Sequence, residues 1–161
     1  MTDATMRELI EAIRAGNDDD VRNLIASDPN CVNACITVGR DEFENLGFRL
    51  AGEVSALMLA AVLKRVAIVK TLIAARPDDD WVWRQYDGRA AIHLAVRVPD
   101  NSDVIKAIAE APGGDVDVRG RGGSTPIFIA AAFKDCESNI IALVDLGANV
   151  NSANSDGVTP T

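Results

Sequence analysis

The sequence predicts an all-α fold in which short helix pairs stack on one another in a row. Three observations carry that expectation. First, the blocks "SALMLAA" (55–61), "AAIHLAV" (90–96) and "TPIFIAA" (125–131) align without gaps, and their anchors Leu57, Ile92 and Ile127 lie thirty-five residues apart. Second, each block follows a glycine (Gly52, Gly88, Gly122-Gly123) and precedes another apolar stretch: "VAIVKTLIAA" (66–75), "SDVIKAIAEA" (102–111) or "SNIIALVDLG" (138–147). There the apolar residues recur three and four apart, as in Val104, Ile105 and Ile108, which is the period of an amphipathic helix. Third, a Gly- and Asp-rich piece recurs after that stretch, as "DDDWVWRQYDG", "GDVDVRGRGG" and "GANVNSANSDG". Its short alternation reads as an extended, hairpin-like finger.

Each unit is therefore turn, short helix, turn, longer helix, finger. The N-terminal copy is "RELIEAIRAGNDDDVRNLIASDPNCVNA" (7–34), with a short helix ended at Gly16-Asn17 and a second around Val21, Leu24 and Ile25. Thr5 and Glu8 are spaced as a capping box for its start. The most explicit helix start is "STPIFIAAAF" (124–133). Thr125 is placed to accept an orphan backbone N–H as N-cap, and Pro126 suits the first helical position, where its missing N–H loses nothing. Three alanines then favour helix over strand, giving a helix of about nine residues, roughly 13 Å long. "SDGVTPT" (155–161) opens a fifth unit. Helices this short are not stable alone, and neither can bury its apolar face within one unit, so neighbouring units must stack.

With "TPIFIAA" and the finger start "GANVN" (147–151) in view, the chain resembles the ankyrin-repeat family over residues 4–161, most specifically in "LGANVNSANSDGVTP". The resemblance implies an ankyrin-type helical solenoid forming one domain. Its units are approximately 4–34, 52–86, 87–121 and 122–154, with the start of a fifth at 155–161. The family histidine appears only at His93, after Ala90-Ala91 in place of Thr-Pro; Ile10, Met58 and Phe128 hold the equivalent places. The resemblance gives His93 the task of bonding neighbouring backbone. The turns "RVPDN" and "FKDCES" are one or two residues longer than the family pattern. Leu9 and Leu57 lie 48 residues apart, and the excess falls in the insertion "CITVGRDEFENLGFRLAGE" (35–53). It carries Phe43, Leu46, Phe48 and Leu50, too apolar for a plain solvated loop, and is expected to project beyond the fingers. Two roles fit it: packing back over the first two units as a helical turn, or contacting a partner.

Composition narrows the function. The 161-residue chain is 48% hydrophobic but 4% aromatic, so its core is made of Ala, Leu, Ile and Val. With a formal net charge of −8 it is a poor ligand for nucleic acid or an anionic membrane surface, both of which select basic proteins. The longest apolar run, "VSALMLAAVL" (54–63), is half a membrane span, and the N-terminus shows no secretory signal, so a cytoplasmic location is expected, with the nucleus as second choice. Cys31, Cys35 and Cys136 with one histidine do not suggest four zinc ligands and read as core or loop thiols. "RGRGGS" (119–124) does not follow a strand, which makes it a weak phosphate cradle. Asp18–Asp20 suit a helix start and Asp78–Asp80 a turn, both as solvated structure rather than a cation site. No catalytic constellation, metal or cofactor is expected.

The aromatic residues concentrate where the family presents variable side chains. Trp81, Trp83 and Tyr86 lie within six residues; the resemblance puts Trp81 in place of a buried valine and Trp83 and Tyr86 nearer the finger tip. Arg84 and Arg89 flank them, and Arg119 and Arg121 recur on the next finger. Trp, Tyr and Arg dominate binding hot spots. The expected partner-binding residues are thus Trp83, Arg84, Tyr86, Arg89, Arg119 and Arg121, with Phe43 and Phe48 of the insertion. The expected function is a non-enzymatic protein-interaction module, an adaptor or scaffold working as a monomer. It binds a partner of acidic and apolar character through its concave face and fingers, inhibiting or localising it. The alternative is an N-terminal targeting or regulatory domain of a larger enzyme, channel or secreted effector.

Overall fold

The computed structural model describes residues 3–38, 52–76, 88 and 90–160. Among them are eight α-helices: α1 (Asp3–Ala15), α2 (Asp18–Ser27), α3 (Ala56–Val62), α4 (Val66–Ala74), α5 (Ala91–Ala95), α6 (Ser102–Ala109), α7 (Pro126–Ala131) and α8 (Glu137–Asp145). Two strands, β1 (Cys35–Val38) and β2 (Gly52–Ser55), pair antiparallel, with Cys35 opposite Ser55 and Val38 opposite Gly52. The protein is mostly helical. No helix among the described residues is long and apolar enough to cross a membrane.

The helices form two ranks. In one, α1 touches α3, α3 touches α5 and α5 touches α7; in the other, α2 touches α4, α4 touches α6 and α6 touches α8. Each odd helix also packs on the even helix that follows it. Burial tracks the number of neighbours. All seven residues of α3 and all five of α5 are buried, because each has a helix on either side in its rank. In α7 only Pro126, Ile127 and Ala130 are buried. Alanine and β-branched side chains let these short helices approach closely, and the apolar area they share supplies the stability that their length cannot.

Every helix pair is joined through one residue in the left-handed region, two positions before the second helix begins. These are Gly16 (φ 76°), Lys64 (57°), Asp100 (50°) and Asp135 (58°). Glycine takes this conformation without strain and aspartate tolerates it, whereas lysine does so at a cost of about 1–2 kcal/mol.

Beside these turns runs a row of side-chain donors, whose bonds are exposed at Arg65 and buried at Asn101 and Asn139. The Arg65 guanidinium donates to the carbonyl of Arg14 at 2.6 Å. Asn101, 2% exposed, donates from Nδ2 to the carbonyls of Ala61 and Ala95, both at 3.0 Å. Asn139, fully buried, donates to the carbonyls of Val96 (3.2 Å) and Val98 (2.8 Å), while its Oδ1 accepts the N–H of Asn101 at 2.9 Å. A chain of two buried amides runs from α3 to α8, its donors matched to main-chain acceptors, as buried polar groups require.

The structure corrects several local expectations. α1 begins at Asp3, so Thr5 lies inside the first turn and is not its N-cap. Thr125 does precede α7, but its hydroxyl makes no capping bond and is buried without a hydrogen-bond partner. Ser55, by contrast, caps α3 by accepting from Met58 N–H at 3.2 Å. α7 also ends at Ala131, short of the nine residues expected. The fingers at 112–125 and 147–160 contain no strands. Their Asp and Asn side chains bond backbone two residues on, at Asp115, Asn149 and Asn154, which competes with a strand ladder. Strand pairing occurs instead at the two ends of the insertion, as β1 and β2.

Replacing Asn139 by alanine leaves the Asn101 N–H and two carbonyls without their partner. A loss of about 3 kcal/mol is expected, the penalty for orphaned buried polar groups. Urea denaturation should show a lower midpoint at unchanged slope.

Candidate functional site

The described finger at 112–125 meets the inner helices through His93. The ring of His93 is fully buried; its Nδ1 accepts the N–H of Ala90 at 2.9 Å, and its Nε2 lies 2.9 Å from the Val118 carbonyl. An Nδ1 that accepts leaves the proton on Nε2, which therefore donates to Val118. The finger is thereby held against α5, as the backbone-bonding reading of this histidine expects. Gly120 lies against the ring edge: a Cβ there would come within 2.9 Å of Nε2. The need is for space rather than for unusual backbone angles.

Arg119 has a structural role of its own. Its guanidinium donates to the carbonyls of Gly123 (3.0 Å) and Ala153 (2.8 Å) and to Ser152 Oγ (3.3 Å). It holds its own finger tip to the following finger while remaining exposed. The same junction is reinforced by Asp117, whose carboxylate oxygens accept the Asn149 N–H at 3.0 and 3.1 Å. Ser155 N–H also donates to Gly122 O at 2.8 Å.

Arg121 is exposed and lines a groove of about 300 Å³ with His93, Arg97, Ser124, Ile129 and Phe133. Arg97 stacks its guanidinium over the Phe133 ring, 4.7 Å from the centroid. Two cations, a ring and an aliphatic side chain from the finger, α7 and the turns after α5 and α7 therefore converge. A larger groove of about 590 Å³ lies between α1 and α2, lined by Glu8, Glu11, Asn17 and Asp20 around Ala12 and Leu24. It is acidic, so chemistry rather than size singles out the smaller one. The exposed large apolar side chains among the described residues are Ile141, Val144, Val150 and Val158.

Of the other expected contacts, Phe43, Phe48, Trp83, Arg84, Tyr86 and Arg89 lie outside the described residues, as do Trp81, Leu46, Leu50 and Asp78–Asp80. Asp18–Asp20 occupy the first turn of α2. Asp18 accepts from Thr71 Oγ1 of α4 at 2.7 Å and pairs with Arg22. Arg97 and Phe133 had no sequence signal of their own; only the stacking brings them to Arg121.

The cysteines divide by burial. Cys31 and Cys136 are buried and Cys35 is exposed. Burial, then Asp28, raises the Cys31 thiol above its ordinary value; burial, then Glu137, does so for Cys136. The Cys35 thiol is raised by desolvation beside the strand pair and by Glu53, with Arg76 opposing.

Compared with models of known protein families, the chain matches none. No curated protein matches it either.

Two outcomes are expected. In native protein one thiol, Cys35, reacts promptly with a maleimide, at a rate still rising above the ordinary thiol range of pH. Cys31 and Cys136 react only after denaturant is added, as counted by mass spectrometry. Gly120→Ala forces the added methyl into a buried imidazole and lowers stability by about 1–3 kcal/mol, read from a thermal melt.

Proposed function

We propose that this chain is a protein-binding module of ankyrin-repeat type, built as a solenoid of four helix-pair units at approximately 4–34, 52–86, 87–121 and 122–154. The left-handed residue two positions before each second helix, and the neighbour-to-neighbour order of the two ranks, support the repeat reading. The module holds a partner protein on the side where fingers and odd-numbered helices meet, and its role is binding rather than catalysis. The observation that carries this is the groove beside Arg121, where a charged donor and apolar surface share one concavity. Such mixed, preformed pockets suit side-chain anchors of a partner. Trp83, Arg84, Tyr86 and Arg89 stand in this reading as further partner contacts, and Phe43 and Phe48 as a second contact region.

One observation favours a second reading, a targeting or regulatory domain within a larger protein. Among the described residues, Ile141 (61% exposed) and Val144 (48%) set two large apolar side chains in solvent on α8.

The test is affinity capture with the tagged chain, followed by titration of the captured protein. Tyr86→Ala combined with Arg121→Ala should weaken that complex at least about tenfold and leave the melting temperature nearly unchanged. If the double variant binds normally, the recognition face moves to the insertion, which deletion of residues 39–51 then tests. Capture of no specific protein would sink the reading.

A further inference from the structure

We infer that the groove beside Arg121 takes an acidic side chain of a partner peptide, a glutamate or aspartate, and seats an adjacent aliphatic side chain on Phe133 and Ile129. The inference rests on the module reading above and names the chemistry its partner must carry.

The acid half follows from the donors. Arg121 makes no side-chain hydrogen bond among the described residues, is exposed, and lines the groove. Arginine's planar fork matches a carboxylate with two parallel hydrogen bonds. Arg97 adds a second positive charge to the same lining, oriented by its stacking on Phe133. Ser124, also in the lining, supplies a hydroxyl that donates to an oxygen anion.

The aliphatic half follows from the rest of the lining. Ile129 and Phe133 are half-buried, and the groove's 300 Å³ exceeds what a carboxylate alone fills. An acid with an apolar neighbour uses both parts.

The groove is also rigid before anything binds. Arg121 begins a 3-10 turn, Arg121–Gly123, closed by Gly120 N–H to Ser124 O (2.9 Å) and Gly123 N–H to Gly120 O (3.0 Å). That turn is tied to the next finger through Gly122 O and by Arg119. Little ordering remains to be done on binding, which favours affinity from few contacts.

Charge supplies the specificity. The chain carries a net charge of −8, so an acidic peptide is repelled by most of the surface and favoured where two guanidiniums converge. The same net charge works against a nucleic-acid strand, whose affinity comes from neutralising many phosphates in succession.

The experiment is fluorescence polarisation with a fluorescein-labelled short peptide of alternating glutamate and leucine. A glutamine–leucine peptide and a labelled single-stranded oligonucleotide serve as comparisons. The glutamate peptide should bind the wild-type chain, lose affinity as salt is raised, and bind Arg121→Ala roughly tenfold more weakly. Arg121→Lys should retain part of the affinity, and the glutamine peptide should bind at least about tenfold more weakly than the glutamate one. Thermal melts of each variant separate lost binding from lost folding. The inference is overturned if the glutamate peptide does not bind, if the glutamine peptide binds as well, or if Arg121→Ala changes nothing. Oligonucleotide binding with the same dependence on Arg121 overturns it too. A chain that captures a partner protein independently of Arg121 and ignores the peptide loses this inference but keeps the module reading. One that binds the peptide and captures no protein does the opposite.

Discussion

The structure depends on side-chain donors that reach from one helix pair to the main-chain carbonyls of the pair before it. Arg65 does this to Arg14, Asn101 to Ala61, and Asn139 to Val96 and Val98. Helix C-termini leave their last carbonyls without intrahelical partners. In helices of five to seven residues those groups are most of the helix. Packing them against another unit in the absence of a donor would strand acceptors away from water at about 1–3 kcal/mol each. The donors therefore permit the dense stacking of α3, α5 and their neighbours, and the apolar burial follows from it.

Apolar contact alone would not set the register of this stack. Alanine, valine and isoleucine faces slide past one another at small cost, because dispersion and burial are non-directional. Asn139 bonds two carbonyls and one N–H from a single turn, a geometry that one placement satisfies. The finger ties do the same on the other side, Asp117 on Asn149 and Arg119 on Ser152 and Ala153, while His93 on Val118 fixes a finger to its own helix. The last two helix pairs are thus held together at two places by directional bonds and between them by a soft apolar layer.

What was legible in the sequence is what side chains encode by spacing. Leu57, Ile92 and Ile127 announce the short helices, and Val104, Ile105 and Ile108 the longer ones, since apolar period is a local property. The role of His93 was legible only through the family resemblance, which gives that histidine the task of bonding neighbouring backbone. The inter-unit donors were harder to read because their acceptors are carbonyls, which leave no trace in composition. One signal existed: Asn139 stands where the thirty-five-residue spacing puts Val104 and Val69, a polar residue in an aliphatic column. Arg119 and Arg121 look alike in sequence, two residues apart, and only the position of the next finger separates a structural tie from a groove wall. The Thr125 hydroxyl shows the converse limit, a residue placed correctly at a helix start without the bond that its type predicts.

The pairing of β1 with β2 has a consequence for how this protein can change. Cys35 faces Ser55 and Val38 faces Gly52, so the chain departs for residues 39–51 and returns at the same spot on the stack. A segment whose ends are already clamped together can be lengthened or exchanged at little thermodynamic penalty, since each doubling of loop length costs only about 0.6 kcal/mol in closure entropy. The strand pair is in effect a socket: new sequence can be mounted there and tried by selection, or by an engineer, while the helical rows behind it keep their shape.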